Sequence, residues 1–346
     1  MTDSSTHRLV GLEPDNLLAF LALLGMLRTL EHVRSAWRPR VAWTVDTPPV
    51  RPTLTVATQA TEDEIIAAVS EGLAELAGRH DFNRLKDLRL SPQEAAERLQ
   101  NSVTRDRYTS DLWAALTSDA AVRDKNKAQE AEPTPLCLLF GQGHMHFMSR
   151  LASVPQESVP PARGAGRKKT TIGETDCLRE ALFEPWTRPD ATFSFRWDPH
   201  EDVRYALRAT DPTDSKTKET TQHGANRLAA IGLSALTVVP RLRGASARLA
   251  VVGGMHERGG GFAFTWPIWR DPISLAAIRS LLGHTGLVKR ATWDALGIFE
   301  LRRARRISVG KFMNFTRAES IGEPEAKTRA SRNDSVGPRR AGQSGR

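Results

Sequence analysis

The sequence predicts an α+β fold: two mixed α/β units with short antiparallel sheets, followed by a disordered C-terminal tail. Three observations support this prediction. A long apolar helix stands near the N-terminus, short extended segments lie between prolines and glycines, and charged or proline-rich stretches interrupt the pattern at 118–135 and 154–171. The length of 346 residues suits about two domains. We place them at 1–130 and 131–317, with the tail at 318–346.

The first unit opens with a helix over 17–30. Pro14, Asp15 and Asn16 precede it, and Asp15 or Asn16 can accept hydrogen bonds from its first free amides. The helix is apolar nearly all round, so we expect it to be buried. Gly25 inside it indicates either close approach of a neighbouring backbone or a tolerated cost of about 1 kcal/mol.

The remaining elements of the first unit are short strands and further helices. They are predicted as strands at 41–45 and 53–57, and as helices over 64–77, from 91 onward and around 113–116. Thr61 and Glu64 have the spacing of a capping box, which predicts the start of one helix. Pro92 follows Ser91 at the first position of the next helix, where proline is favoured.

The second unit alternates short strands with two helices. The strands are predicted at 136–140 (or a helix start), 192–197, 249–252 and 262–268, and the helices over 224–236 and 274–282. The last two strands are expected to form a hairpin across glycines. We expect 154–171 to be an exposed, mobile loop, 211–221 to be a second polar loop, and 318–346 to be disordered.

The charge balance favours an acidic partner. The chain has 49 Lys+Arg against 40 Asp+Glu, a formal charge of +9, and 39 of its cations are arginine. The planar arginine fork suits phosphates and base edges, so nucleic acid comes first and an anionic membrane surface second. The 40% apolar fraction excludes global disorder, and two cysteines exclude a disulfide framework.

The sequence does not indicate a membrane protein. The apolar run over 17–27 has about 11 residues, whereas a bilayer requires roughly 20. Residues 1–7 are polar and lack the basic and apolar segments of a signal peptide. We therefore expect a cytoplasmic protein without a membrane partner.

The strongest candidate for nucleic-acid binding is the basic stretch 301–317. Cations in a row can contact phosphates, and aromatic faces can stack on unpaired bases. The candidate residues are Arg302, Arg303, Arg305, Arg306, Lys311, Phe312 and Phe315. The alternative is a solvated helix face followed by a core strand that buries both phenylalanines.

A second basic patch lies in the glycine-containing loop 163–169. Its candidate residues are Arg163, Arg167, Lys168 and Lys169. A flexible basic loop can fold onto a phosphate backbone when it binds. The alternative is a polar linker without a ligand.

Acidic residues and arginines alternate over 195–208. The acidic candidates are Asp198, Glu201 and Asp202, with His200 as a possible base. Carboxylates could bind a divalent metal there. Adjacent acids and arginines more often pair with each other, which favours a structural turn that orients Arg204 and Arg208 for nucleic-acid binding.

No constellation of residues indicates an enzyme, a cofactor or a metal site. In a strand, His144 and His146 would face one side, and Cys137 or Cys177 could add a ligand, but a complete set is not evident. The Walker A loop, the dinucleotide fingerprint and the nucleophile elbow are missing. A core position, or alternatively an exposed stacking platform, is expected for three aromatic residues: Phe264, Trp266 and Trp269.

Three stretches carry a resemblance to a known family. They are 9–28, with a Leu-Gly-x-Leu-Arg element inside the apolar helix, 196–208 together with 224–229, and 310–315. These stretches resemble proteins of type I CRISPR systems, in particular large-subunit-like components of the I-U/I-G branch. The resemblance implies a non-catalytic subunit that grips the guide RNA, touches the short motif beside the target and helps to recruit a separate helicase-nuclease. The chain is short for a large subunit, and an accessory protein of the same locus is an alternative.

We therefore expect a non-catalytic nucleic-acid-binding subunit of a type I CRISPR effector complex, the Cascade, acting in antiviral defence. Its expected partners are guide RNA, target DNA or both, together with the other effector subunits, and no cofactor is expected. Two alternatives stay open. One is a metal-dependent nuclease that uses Asp198, Glu201, Asp202 and His200. The other is a scaffold that binds only protein, its basic surface facing an acidic partner.

Overall fold

A computed structural model describes most of the chain. The described residues are 4–125, 128–142, 145–164, 166–201, 220–243, 246–257, 261–309 and 312–321. The predicted polar loop over 211–221 lies outside these ranges except for its last two residues. Residues 322–346 of the predicted tail also lie outside them.

Helices and strands are both well represented in the described ranges. The helices are α1 (Leu17–Val33), α2 (Glu62–Ala77), α3 (Pro92–Val103), α4 (Arg107–Leu116), α5 (Phe147–Ser153), α6 (Glu174–Phe183), α7 (His223–Gly232) and α8 (Leu275–Gly283). The strands are β1 (Ser5–Arg8), β2 (Arg40–Trp43), β3 (Pro52–Val56), β4 (Thr117–Lys125), β5 (Ala128–Pro133), β6 (Phe140–Gln142), β7 (Met145–His146), β8 (Val238–Arg243), β9 (Ser246–Val251), β10 (Gly254–His256), β11 (Phe262–Trp269), β12 (Ile298–Val309), β13 (Phe312–Phe315) and β14 (Glu319–Ile321).

The strands form antiparallel sheets, which confirms the predicted α+β class. One sheet has the order β1-β3-β2, and a larger one has the order β10-β11-β12-β13 with β14 also paired to β12. The pairs β4-β5, β6-β7 and β8-β9 are two-stranded. The charged stretch 118–135, a predicted boundary, thus forms most of the β4–β5 hairpin.

Helix α1 lies at the centre of the core. Residues 17–27 are all buried, and the Asn16 side chain caps the helix by accepting a hydrogen bond from the Ala19 amide. The aromatic ring of Phe20 packs on the large sheet, with its centroid 5.4 Å from Trp266 and 6.1 Å from Phe264. A helix that is apolar nearly all round is therefore covered on its several sides, as predicted.

Helices α1 and α7 touch backbone to backbone. A Cβ atom at Gly25 would lie 1.9 Å from the carbonyl oxygen of Leu228, and one at Gly232 would lie 2.0 Å from that of Leu21. Neither position has room for a methyl group. Of the two interpretations of Gly25, close approach of a neighbouring backbone is confirmed.

Capping patterns located the helix starts correctly. Thr61 with Glu64, and Ser91 with Glu94, form capping boxes in which both reciprocal hydrogen bonds are present. Pro92 occupies the first turn of α3. The predicted helices over 17–30, 64–77, 224–236 and 274–282 correspond to α1, α2, α7 with a following 3-10 turn, and α8.

The prediction of a strand over 192–197 is wrong. Arg196 has a φ of 66°, in the left-handed region, which interrupts an extended chain. The aromatic alternation reflects burial instead: Phe195 and Trp197 are both closed to solvent, and their rings stack with centroids 4.5 Å apart.

The predicted pairing of 249–252 with 262–268 is also wrong. Strand β9 pairs with β8, whereas β11 pairs with β10 and β12. Gly253, with a φ of 78°, turns the chain between β9 and β10. Strands β9 and β11 therefore lie in different sheets. The three aromatic residues of this region, Phe264, Trp266 and Trp269, are buried as expected, so the stacking platform is excluded.

Residues 318–321, predicted as the start of the disordered tail, belong to the described fold. Strand β14 pairs with β12 at 301–303, so residues 319–321 belong to the sheet. Just before it, the Ala318 amide donates to the carbonyl of Asp15, and Arg317 pairs with the Asp15 carboxylate. These contacts join the end of the described chain to the start of α1.

The buried residues form one cluster that draws on both predicted units. Val41 of β2 exchanges two backbone hydrogen bonds with Ile273, at 2.9 and 3.0 Å. The indole of Trp269 also donates to the Val41 carbonyl. The boundary near residue 130 stays a prediction.

Within the described ranges, no helix has both the length and the apolar composition needed to cross a bilayer.

The contact between α1 and α7 gives a first testable prediction. We expect Gly25→Ala to lower the free energy of unfolding by about 3 kcal/mol, because the new Cβ would collide with backbone and force the helices apart. Gly283→Ala at the end of α8 is the matched control, since no described atom outside its own stretch of helix lies within 4 Å of its Cβ position. Urea denaturation of both variants checks this. Equal stabilities would contradict the close contact.

Candidate nucleic-acid interface

The arginine-rich stretch forms strand β12, so its side chains alternate between the two faces of the sheet. The register pairs Arg302 with Trp266 and Arg306 with Phe262, on the face that carries the aromatic core. Arg303 pairs with Thr265 on the opposite face, together with Arg305. The solvated helix face considered as the alternative is therefore not formed. The linear run of cations divides into two separated pairs.

Most of these arginines already have partners within the protein. Arg302 pairs with Glu300 at 2.9 Å, and Arg303 donates to the Thr265 hydroxyl at 3.2 Å. Arg305 bridges Glu319 at 2.7 Å and Glu257 at 3.2 Å. Hydrogen bonds to Glu319 and then Glu257 raise the pKa of Arg305. These contacts neutralise much of the charge expected along the strand. Phosphate binding by this stretch stays a prediction.

Arg306 differs from its neighbours. Its guanidinium donates to the carbonyl of Pro135 at 3.1 Å and lies 5.5 Å from the ring centroid of Phe262. Burial, with a smaller contribution from Arg248, lowers its pKa. No carboxylate among the described residues pairs with it. Arg306 is thus a partly buried cation with an incomplete set of partners.

Phe315 does not occupy a position from which it could stack on a base. Its side chain is 1% exposed, and its ring packs edge-on against Phe262 with the centroids 6.3 Å apart. This is the burial considered as the alternative. For Phe312 only the backbone, in β13, is described, and Lys311 lies outside the described residues.

The basic loop at 163–170 is closed rather than open. Arg163 and Thr170 exchange two backbone hydrogen bonds, at 2.8 and 2.9 Å. Gly164 and Gly166 adopt φ values of 86° and 58°, which the chain needs to turn within so few residues. Most of this segment is exposed, as expected, and a backbone bridge closes it; its mobility stays a prediction. Farther back, Val154 is buried.

Arg163 anchors this loop instead of presenting its charge to solvent. Its guanidinium donates to both carboxylate oxygens of Glu180, at 2.7 and 2.8 Å, and to Asp190 at 2.7 Å. The hydrogen bonds to Glu180, followed by those to Asp190, raise the pKa of Arg163 against the opposing effect of burial. Because Asp190 is 0% exposed, this is a buried charge pair, and Arg163 anchors the loop. Phosphate binding by Arg163 stays a prediction.

The tip of the loop carries the other three predicted cations. Arg167, Lys168 and Lys169 are all exposed, and 166–168 form a 3-10 turn. None of the three has a hydrogen bond or ion pair with another described residue. The loop therefore holds three consecutive free cations above an anchored base. The sequence identified the cations of the loop. It did not identify the partners of Arg163, because these lie on other elements and no local sequence pattern indicates them.

In the described part of the acidic segment, up to Glu201, protein groups bind the carboxylates. Asp198 is 0% exposed and accepts hydrogen bonds from Arg188 at 2.6 Å, from Asn16 at 3.0 Å and from the His200 amide at 3.0 Å. Glu201 is also buried, and its oxygens accept hydrogen bonds from two hydroxyl groups, those of Ser194 and Thr221. Both carboxylates therefore stabilise the fold. Asp202, Arg204 and Arg208 lie outside the described residues.

The histidine and cysteine candidates do not converge in the described ranges. His146 faces Asp87 at 3.2 Å, and His144 lies outside those ranges. Burial raises the pKa of both cysteine thiols, that of Cys177 to about 12. Among the described residues, no group of three or more His, Cys, Asp or Glu side chains could hold a metal ion.

Two cations that the sequence analysis did not single out lie near Arg306. Arg123 of β4 and Arg248 of β9, together with Arg306, line a cavity of about 200 Å³. The three residues are more than 50 positions apart in pairs, so no local motif connects them. Only the packing of the β4–β5 hairpin beside β9 and β12 reveals this cluster.

The anchoring role of Arg163 is testable. We expect Arg163→Gln to lower the free energy of unfolding by about 3 kcal/mol, because it leaves the buried Asp190 carboxylate without its ion partner. Lys169→Gln, in the same loop but exposed, is the matched control and should change stability by less than about 0.5 kcal/mol. Urea unfolding at neutral pH measures both. A negligible effect of Arg163→Gln would exclude the anchor.

The chain matches no protein-family model, no curated protein and no solved structure.

Proposed function

We propose that the protein binds nucleic acid through the tip of the loop 163–170, as a non-catalytic subunit of a larger complex. One observation carries the proposal: three consecutive exposed cations, with no partner among the described residues, lie on a loop that Arg163 anchors to two carboxylates. Phosphate contacts need exposed positive charges. Here the chain keeps three of them free and fixes the base from which they project.

The anchored base makes binding by this loop less costly. A loop that orders only on binding loses conformational entropy at that moment, whereas a closed loop has already lost part of it. The bridge between Arg163 and Thr170 and the ion pairs of Arg163 restrict the backbone beneath the tip. The long side chains of Arg167, Lys168 and Lys169 keep their freedom and can follow an irregular phosphate backbone.

The non-catalytic character is supported by how the described carboxylates are used. Asp198 and Glu201, two of the four residues of the alternative nuclease, are buried and accept hydrogen bonds from protein groups. A metal-dependent nuclease needs carboxylate oxygens that face a metal and its substrate. The geometry of these two residues does not favour that alternative.

The identity of the larger complex comes from the sequence resemblance. We propose a type I CRISPR effector complex, with guide RNA, target DNA or both as the nucleic acid, with the other effector subunits as protein partners, and with the cytoplasm as the location. The net charge of +9 is consistent with such partners. The resemblance is carried in part by the Leu-Gly-x-Leu-Arg element of α1, whose glycine lies at the contact with α7.

The loop can be tested by measuring how affinity depends on salt. We expect the triple variant Arg167→Gln, Lys168→Gln, Lys169→Gln to bind a labelled single-stranded RNA or duplex DNA more weakly than the wild type. The slope of log affinity against log salt should become shallower by about 2, because about three phosphate contacts are lost. Fluorescence anisotropy over a salt series measures this.

The control for this experiment removes the same charge elsewhere. Arg40→Gln, Arg241→Gln, Lys289→Gln changes three exposed cations on other elements and should leave the slope nearly unchanged. If both triple variants lose the same slope, binding depends on net charge and not on the loop. If the wild type does not bind at low salt, the proposal fails.

The proposed complex is tested by purification together with the proteins encoded beside this one. We expect the purified assembly to contain RNA of one uniform length, detected by its ultraviolet absorbance ratio and by denaturing electrophoresis. A guide RNA of defined length explains such uniformity, whereas non-specific binding to a basic surface retains RNA of mixed lengths. Protein free of RNA, or carrying only mixed lengths, would contradict the CRISPR assignment.

A further inference from the structure

The described residues at the cavity beside Arg306 include more cations than carboxylates. Arg248 pairs with Glu132 at 2.7 Å, and Arg123 pairs with Glu130 at 3.0 Å. Arg306 is the third cation, and no described carboxylate pairs with it. The carboxylate of Glu132 is further occupied by the Leu249 amide. Among the described residues, three guanidinium groups are thus set against two carboxylates, both already engaged.

Of the three arginines, Arg306 is the one without a carboxylate partner among the described residues. Its described partners are the Pro135 carbonyl and the face of Phe262, neither of which carries a negative charge. Burial and then Arg248 lower the pKa of Arg306, against the opposing effect of the Glu132 carboxylate, which already binds Arg248 and the Leu249 amide. Proteins rarely bury a charge without a counter-charge. An anion in the adjoining cavity would supply one.

His256 adds a second, independent observation. Its Nε2 lies 2.8 Å from the carbonyl oxygen of Leu249, and since a carbonyl only accepts, Nε2 is the donor. Its Nδ1 is shielded from solvent and has no hydrogen-bond partner among the described residues. A buried polar atom without a partner is costly. With Nε2 as the donor, Nδ1 of the neutral ring accepts, so it can bind the P–OH group of a protonated phosphate, whereas Nδ1 of a protonated ring donates to a phosphate oxygen. The imidazole lines the same cavity as the three arginines.

We propose that this cavity binds a phosphate group. A tetrahedral phosphate would give Arg306 a negatively charged partner. A planar guanidinium group can donate two parallel hydrogen bonds to two phosphate oxygens. At about 200 Å³ the cavity has room for several water molecules and hence for one phosphate. The site does not depend on the loop 163–170. It goes beyond the proposed function, because its ligand can be a free phosphate or phosphomonoester as well as a backbone phosphodiester.

The experiment compares inorganic phosphate with chloride at matched ionic strength, using the full chain. Isothermal titration should detect phosphate binding to the wild type. In Arg306→Gln the affinity should fall at least about tenfold, the effect of losing a charge-assisted hydrogen bond. Arg305→Gln is the matched control, since it removes the same charge from the next residue on the opposite face of β12 and should bind phosphate as the wild type does.

The melting temperature in chloride distinguishes a ligand role from a structural one. Replacing a poorly compensated cation should leave the melting temperature of Arg306→Gln unchanged or raise it, and phosphate should stabilise the wild type but not the variant. If Arg306→Gln fails to fold, Arg306→Lys keeps the charge, loses the fork and should still bind phosphate more weakly. The proposal is overturned if phosphate binds the wild type no better than chloride does, or if Arg306→Gln binds phosphate normally.

A competition experiment then identifies the source of the phosphate. An oligonucleotide without terminal phosphates should displace inorganic phosphate if the site takes a backbone phosphodiester, and should fail to displace it if the site takes a free phosphate or phosphomonoester. Both results support the site. The triple variant Arg167→Gln, Lys168→Gln, Lys169→Gln should keep the phosphate affinity of the wild type. The proposal of a nucleic-acid-binding loop and the proposal of a phosphate-binding cavity can therefore fail independently of each other.

Discussion

The backbone contact between α1 and α7 is the constraint on which the rest of the structure depends. Gly25 and Gly232 let the two helices meet without intervening side chains. Gly224 gives α7 a similarly close approach to α6, where its Cβ would lie 2.6 Å from a carbonyl oxygen. Helix α6 carries Glu180, which holds Arg163. The position of the exposed loop is therefore set by a chain of close helix contacts that begins in the core.

Buried carboxylates then fix the segments that connect these helices. Asp190 accepts hydrogen bonds from Arg163 and from the His223 amide, and it shares a backbone bridge with Thr221. Asp198 ties the segment before α7 to the capping residue of α1, Asn16. Each acid is neutralised by an arginine and surrounded by donors, which is the condition under which a buried charge is tolerated. An acidic cluster in the sequence can thus be part of the framework.

The sequence predicted the features that depend on neighbouring residues. Helix starts were visible because caps act over three residues, as at Thr61 and Ser91. The strand over 192–197 was predicted wrongly, because alternation reports burial and does not show the positive φ of Arg196. The loop cations were found, but the role of Arg163 was not, since its partners Glu180 and Asp190 are 17 and 27 residues away. Partners brought together by tertiary packing leave no local signal.

Strand geometry explains why the densest run of cations is not the most available one. Because side chains alternate along β12, Arg302 and Arg306 lie on one face of the sheet, and Arg303 and Arg305 lie on the other. The two pairs therefore contact different hydrogen-bond acceptors. A tight turn imposes no such alternation, so 166–169 can display consecutive cations together. Charge density along a sequence therefore becomes charge density on a surface only where the backbone does not alternate. The net charge of +9 is therefore distributed according to the backbone. The turn at 166–169 presents unpaired cations to solvent, and strand β12 places one incompletely paired arginine, Arg306, beside a cavity.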